Sequence, residues 1–430
     1  MTAAVPPVTA WYNVLADRDV HLPPPRPPRR ATGGAPRAIR PNIPKALVRQ
    51  AMPLQAEVPI PEELREAYRE WRPTPLRRAT RLEAALGTTA RIYLKDETGN
   101  VAGSHKYLTA LAQAYYYRAA GVRTLITSTA AGQWGTAISA AARRFGLGCV
   151  IYMVPGSYDR KPGRRLVMEM LGAEVIRADP GALREAMNQA VSRAAEMSDA
   201  RWILGGSESF AILHSTVIGQ EAKEQLRAVG EVGPPVLIGY LGGGKNVGGL
   251  GLPFLAGGGT PVIRSVESAA FPVLTRGTFA YDDTDDTGLT PRAAMYTLGR
   301  GFTGSAIQAE GIRYRAAPTL FSALRERGLV QPVAYPEEPV FDSARLLLRT
   351  EGILVSAEAA YAVHDACEQA RDPGNRDRPI VACVSDHGYY DADAYQAYLS
   401  GRLAGRVPSD EELAATAPDS VDLVGALATS

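Results

Sequence analysis

Four short segments carry residues whose types and spacing could do chemistry together. In Gly103-Ser104-His105-Lys106 a lysine follows small residues at a strand-to-helix turn, which faces it to the ligand edge of a sheet. Taken alone, such a lysine reads as a solvated charge, because a hydrated ammonium resists burial. The segment Leu241-Gly242-Gly243-Gly244-Lys245-Asn246 follows an apolar strand and precedes a helical pattern. Residues without side chains let several backbone N–H groups converge on an anion, so a phosphate fits there; a plain tight turn is the bland alternative. The segment lacks the Gly-Lys-Ser/Thr ending of a P-loop and the spaced glycines of a dinucleotide fingerprint, which argues against a nucleotide. In Thr129-Ala130-Ala131-Gly132-Gln133-Trp134-Gly135 small residues again open a helix, an arrangement that suits a carboxylate as well as a phosphate. Last comes Val384-Ser385-Asp386-His387-Gly388, where the serine could hydrogen-bond a heterocyclic nitrogen or cap the next helix. Two anion sites and one lysine point to an amino acid bound beside a phosphorylated cofactor.

The elements that must position these segments are legible in the alternation of short β-rich runs with longer helical patterns from about residue 60, the pattern of a largely parallel sheet. Strands are predicted at Arg91–Leu94, Thr124–Thr127, Cys149–Val154, Val236–Leu241, Val262–Val266 and Ile380–Val384, and helices at Lys106–Ala119, Gly135–Phe145, Arg164–Leu171 and Val247–Leu255. Parallel strands bring their carboxyl ends and following loops to one edge, where open α/β folds bind ligands. Residues Arg276–Ala309, with the run Asp282-Asp283-Thr284-Asp285-Asp286, read as a mobile lid or as a solvated surface loop.

The chain of 430 residues, 46% hydrophobic and 21% charged, is long enough for two packed α/β domains. With 47 basic against 45 acidic residues, it has no excess field to draw it to nucleic acid or an anionic membrane. Cys149, Cys367 and Cys383 stand far apart in mostly apolar runs and form no metal or redox motif, so buried free thiols are expected. No apolar signal core and no run of about twenty apolar residues is present, which makes the cytoplasm the expected compartment. Proline-rich residues 1–57, including Pro23-Pro24-Pro25-Arg26-Pro27-Pro28, read as an arm. It is either a polyproline ligand or a strap anchored by Trp11 and Tyr12. Residues 406–430 read as a loosely held tail.

In order and spacing, these motifs resemble the β subunits of tryptophan synthase, most closely the extended second class of stand-alone β subunits. The resemblance runs from Trp11-Tyr12-Asn13 through Arg72-Pro73-Thr74-Pro75-Leu76 to Ser385-Asp386-His387-Gly388. Its most specific segments are Gly103–Lys106, Ala131–Gly135, Tyr158–Arg165 with Met168-Glu169-Met170, His214–Gly219 and Gly288–Gly299. It implies a two-domain α/β enzyme of fold type II, with parallel-rich sheets flanked by helices around pyridoxal 5′-phosphate. The larger domain would comprise 58–100 and 222–405, and the smaller, mobile one 101–221. It implies a homodimer without an α-type partner, a small amino-acid substrate, a small nucleophile and, as in relatives, room for a monovalent cation. No metal ligands are expected among the side chains.

Carried over by residue, Lys106 would form the Schiff base and work as acid and base at the α-carbon. Gly242, Gly243, Gly244, Lys245 and Asn246, with His105, would surround the phosphate. Ser385 would meet the pyridine nitrogen, and Glu358 would lie near the ring. Thr129, Ala130, Ala131, Gly132, Gln133 and Trp134 would form the carboxylate loop, and Arg276–Ala309 would contain the closing segment.

The chain departs from the family at a decisive place. The glutamate that precedes the carboxylate loop, which assists loss of the serine hydroxyl and attack by indole, is Ser128 here. A hydroxyl of normal, very high pKa cannot relay a proton as a tuned carboxylate does. An asparagine is replaced by Leu108, the phosphate-loop serine by Lys245, and Gly205–Phe210 differs as well. Lys245 would either add charge to the phosphate site or point outward. The expectation is β-replacement or β-elimination on L-serine or a related amino acid through an aminoacrylate, with a nucleophile other than indole. The alternatives are ordinary tryptophan synthesis, with Glu97 or Glu208 replacing the carboxylate, and a regulatory homologue with reduced turnover.

Overall fold

The fold is that of a computed structural model, which describes residues 5–28, 43–179, 183–283 and 291–428. Its centre is the strand β14 (Pro379–Val384), whose six residues are all buried. An apolar run without alternation is what a strand covered on both faces requires. β14 pairs in parallel with β9 (Val236–Tyr240) on one side and β4 (Arg91–Asp96) on the other. Parallel β10 (Val262–Ser268) and β13 (Gln331–Tyr335) extend the sheet beyond β9, and antiparallel β3 (Leu76–Arg78) closes the far edge. A second sheet of four parallel strands has the order β7 (Glu174–Arg177), β6 (Gly148–Met153), β5 (Thr124–Thr129), β8 (Ala200–Trp202).

Several boundaries moved for physical reasons. β4 continues through Lys95 and Asp96 instead of stopping at Leu94, because Lys95 is neutralised inside: its Nζ donates to Glu221 (2.8 Å), Gln225 (2.9 Å) and the Thr74 carbonyl (2.8 Å). Glu221 also receives Arg72, which bridges to Glu97, so four charges form one buried network. β5 likewise runs through Ser128 and Thr129, leaving only Ala130–Gly132 between strand and helix. The helix expected at Val247–Leu255 is the α-helix Lys245–Gly251 followed by a tighter turn at Leu252–Gly258, where Pro253 supplies no backbone donor.

Arg276–Ala309, read as a mobile lid or a solvated loop, is not irregular throughout. It contains an antiparallel ribbon, β11 (Thr278–Asp283) against β12 (Arg292–Thr297), and residues 284–290 lie outside the described residues. Asp282 and Asp283 are buried, and Asp282 accepts from Arg315 (3.0 Å) and Thr297 (2.7 Å), so an acidic run read as solvated begins in the interior. The tail is not loose either. Helices Asp410–Ala414 and Leu423–Ala428 bury Leu413 and Ala426, and Thr416 donates to the Leu298 carbonyl (2.7 Å).

The N-terminal chain lies on its own globule. β1 (Ala10–Tyr12) pairs with β2 (Glu57–Pro59), Trp11 is fully buried, and its ring lies 4.6 Å from that of His214. Cys149, Cys367 and Cys383 are buried free thiols. Among the described residues no helix is long and apolar enough to cross a membrane.

Candidate active site

The site follows from strand order. Because β14 lies between β9 and β4, the glycine loop after β9, Ser385 and Asp386 after β14, and the segment from β4 to Lys106 leave neighbouring carboxyl ends. Lys106 opens the helix Lys106–Ala119, its side chain is 14% exposed, and its Nζ donates to Asp386 Oδ2 at 2.9 Å. Tyr240, the last residue of β9, donates its hydroxyl to the same oxygen at 2.7 Å. Asp386 Oδ1 is buried without a partner. Burial alone would raise the pKa of Asp386, but the charges of Lys106 and Arg164 hold it well below the usual carboxylate range.

His105 packs its ring against Ser385: the Ser385 Oγ accepts the His105 backbone N–H (3.0 Å) and lies 2.7 Å from Nδ1. Burial, then the Lys106 charge, drive the His105 pKa well down, which leaves a neutral imidazole. The sequence reading set His105 beside the phosphate; its described partner is the serine assigned to the ring nitrogen.

Close protein neighbours occupy the Cβ side of each glycine in the loop. A Cβ would lie 2.4 Å from the Gly311 carbonyl at Gly242, 2.3 Å from the Gly206 carbonyl at Gly243, and 2.8 Å from the Phe321 ring at Gly244, whose φ is +81°. No side chain is tolerated along the loop. Asn246 anchors it, accepting from the Tyr240 backbone N–H at 3.2 Å. Lys245 does not point outward: it is buried, and its Nζ donates to the carbonyls of Gly205 (3.2 Å) and Gly206. Burial and the nearby Lys106 lower its pKa to about 7, while burial raises that of the neighbouring Glu208.

Across the site, Gly132 turns at φ +96° to start the helix Gln133–Arg144. Gln133 Nε2 donates to Glu358 Oε1 (3.0 Å), which also accepts the Gly311 N–H (2.7 Å). Glu358 Oε2 is buried without a partner, and burial, then Asp391 and Asp386, raise this carboxyl's pKa. Thr129 and Trp134 serve the loop itself: Thr129 Oγ1 accepts from the Gly135 N–H (3.3 Å), and Trp134 Nε1 donates to Thr127 (3.0 Å). That leaves Ala130, Ala131 and Gly132 to present backbone groups. Ser128 is half-buried in β5, opposite Tyr152 of β6. Glu97 is committed to Arg72. Among the described residues no three His, Cys, Asp or Glu side chains converge as metal ligands.

Sequence reasoning passed over Asp386 and Tyr240. Asp386 lies in the motif Val384-Ser385-Asp386-His387-Gly388, where the family resemblance gives a role to Ser385 alone. The available signal was an acid placed directly after a wholly apolar strand, on the edge that also carries Lys106.

The donor set suits pyridoxal phosphate: an accessible lysine, a loop that excludes every Cβ, a hydroxyl at Ser385, and a buried carboxyl with one unpartnered oxygen. Comparison with known proteins agrees. The family model described as "Pyridoxal-phosphate dependent enzyme" matches residues 68–386. The chain is 40% identical over 424 residues to tryptophan synthase beta chain 2 of Aquifex aeolicus, covering 91% of this chain and 96% of that protein. It is 40% identical over 423 residues to the beta chain 2 of Thermococcus kodakarensis, covering 93% and 95%. Among solved structures it is similar in fold to a T.th. threonine deaminase, with a TM-score of 0.60 and 22% identity over 76% of this chain and 98% of that one.

Proposed function

The chain belongs to the family of pyridoxal-phosphate dependent enzymes, among the tryptophan synthase β chains, and from that premise we propose that it replaces the β-substituent of an amino acid with a nucleophile other than indole. The class is a pyridoxal-phosphate-dependent lyase of the β-replacement type. The donor we propose is L-serine, or a serine or threonine derivative with a better leaving group. The observation that carries this narrower reading is Ser128: the half-buried residue that opens the carboxylate loop is a hydroxyl, so the site lacks the carboxylate that indole chemistry uses there.

Bound here, pyridoxal phosphate supplies an electron sink for the bonding pair of the α-carbon. Lys106 holds the cofactor and moves the α-proton. Gly242, Gly243, Gly244 and Asn246 receive the phosphate on backbone groups, with Lys245 adding a cation from the side of Gly206. Ser385, fixed by His105, would offer a neutral partner to the ring nitrogen, and Glu358 would lie near the ring. Ala131, Gly132 and Gln133 take the substrate carboxylate. We read the segment 101–221 as the body that closes over the substrate, and the enzyme as a cytoplasmic homodimer without an α-type partner.

Incubation with L-serine and O-activated serines, each with a panel of small nucleophiles and indole, tests this by product mass. A β-substituted amino acid from a non-indole nucleophile is expected; tryptophan as the only product would overturn the reading. The name shared by the relatives favours a second reading, L-tryptophan from indole and L-serine, which the same assay decides.

A further inference from the structure

The geometry points to Asp386, backed by Tyr240, as the catalytic carboxylate that serves Lys106 in place of the one absent at Ser128; this rests on the β-replacement reading.

Three observations converge on Asp386. Its Oδ2 accepts hydrogen bonds from both Lys106 Nζ (2.9 Å) and the Tyr240 hydroxyl (2.7 Å). Its Oδ1 is buried with no partner in a residue only 2% exposed, which leaves an acceptor in reserve at the reacting amine. Its backbone sits at φ +64°, a region that costs a non-glycine residue on the order of 1 kcal/mol or more and that glycine enters freely. A side chain kept there against that cost makes a contact glycine could not.

The chemistry is balanced within the site. The Lys106 amine takes the α-proton and becomes an ammonium, whose charge Asp386 holds. As the Cβ–O bond breaks, its electron pair leaves with oxygen, and the ammonium passes the proton to that oxygen, releasing water from serine or the protonated leaving group of an O-activated serine and restoring the amine. The α-carbon's pair becomes the new Cα=Cβ bond, so no oxidant or reductant is needed. Tyr240, its hydroxyl pKa pushed far up by burial and by Asp386, stays protonated and fixes the carboxylate. His105 and Arg164 also face Asp386, and neither intervenes between it and Lys106.

The test compares wild-type enzyme with Asp386→Asn and Asp386→Gly, the second chosen because glycine suits this φ and keeps the fold. Borohydride reduction and peptide mass first report whether the cofactor is joined to Lys106; failure in the wild type would sink the cofactor reading itself. The visible band of the lysine-bound cofactor is then titrated with pH, and exchange of the α-proton of L-serine and L-alanine into D2O is followed. Loss of the carboxylate should move the band's midpoint down by about one pH unit or more and slow exchange roughly a hundredfold. An unchanged midpoint with unchanged exchange overturns the proposal, and so does loss of the bound cofactor in both variants, which would make Asp386 structural. A wild type that shifts its band as expected yet exchanges neither amino acid overturns the β-replacement reading and leaves Asp386 to be decided by the midpoint.

Discussion

Gln133 and Glu358 meet across the site, Nε2 to Oε1 at 3.0 Å, and so tie the loop after β5 of the four-stranded sheet to the helix Ala357–Arg371 that packs on the six-stranded one. The same oxygen accepts the Gly311 N–H, where a Cβ would come within 2.6 Å of it. Glu358→Ala strips two buried donors of their acceptor and should lower stability by about 1–3 kcal/mol, while Glu358→Gln keeps an oxygen for Gly311 and should lose less. Denaturation midpoints of the two variants check the order.

Lys245 should make cofactor binding proton-linked. Its pKa is lowered to about 7 before an anion arrives, by burial and by Lys106, and a phosphate beside it would raise it again. Binding of pyridoxamine phosphate, which cannot link to Lys106, should take up a proton above about pH 7 and weaken as pH rises. Calorimetry in buffers of different ionisation enthalpy reads this uptake, and it should vanish in Lys245→Ser. The unliganded protein should also gain stability from about pH 7 toward the unfolded lysine value near ~10.4, because there the unfolded chain binds the extra proton.

Placing a carboxylate at the head of the loop tests whether Ser128 sets the choice of nucleophile. Ser128→Glu should increase tryptophan formed from indole and L-serine by roughly a hundredfold over a low wild-type level. Unchanged output, measured by product mass, would mean that Ser128 does not set the choice of nucleophile.

Glu221 is held by Arg72 and Lys95, which outweigh burial and keep its pKa below the usual value. Glu221→Gln leaves two buried cations short of their partner and should cost about 3–5 kcal/mol at neutral pH. The lowered carboxylate pKa contributes stability that is present above the unfolded value of ~4.3 and is lost as pH falls through the folded one, so wild type and variant should converge in acid. Urea midpoints at neutral and acid pH check both parts.

Where local pattern decides structure, the sequence was explicit. The apolar runs of β9 and β14 could only be covered strands, and the helix Lys106–Ala119 begins and ends where its pattern does. The glycine loop, the lysine and the edge that unites them followed from that alternation. What stayed hidden depends on partners far away in the chain. Lys95 extends β4 because Glu221, 126 positions on, neutralises it. Asp282 leaves a run that looks solvated because Arg315 meets it inside. Asp386 gains its meaning only when Lys106, 280 positions earlier, lies 2.9 Å away. Charged residues announce a surface until a distant counter-charge is known, and sequence spacing does not supply that distance.

The three cysteines are all buried, and burial pushes Cys149 up to about 12, Cys367 up to about 11 and Cys383 well above the ordinary thiol value. A thiol attacks electrophiles only as its thiolate, so the folded protein is a nearly silent background for maleimide labelling. A single cysteine placed on an exposed position, such as Leu166 on the small-sheet side or Leu399 on the other, would take a dye alone. Pairs of such dyes would report in solution whether the two sheets move relative to each other, without removing a native cysteine.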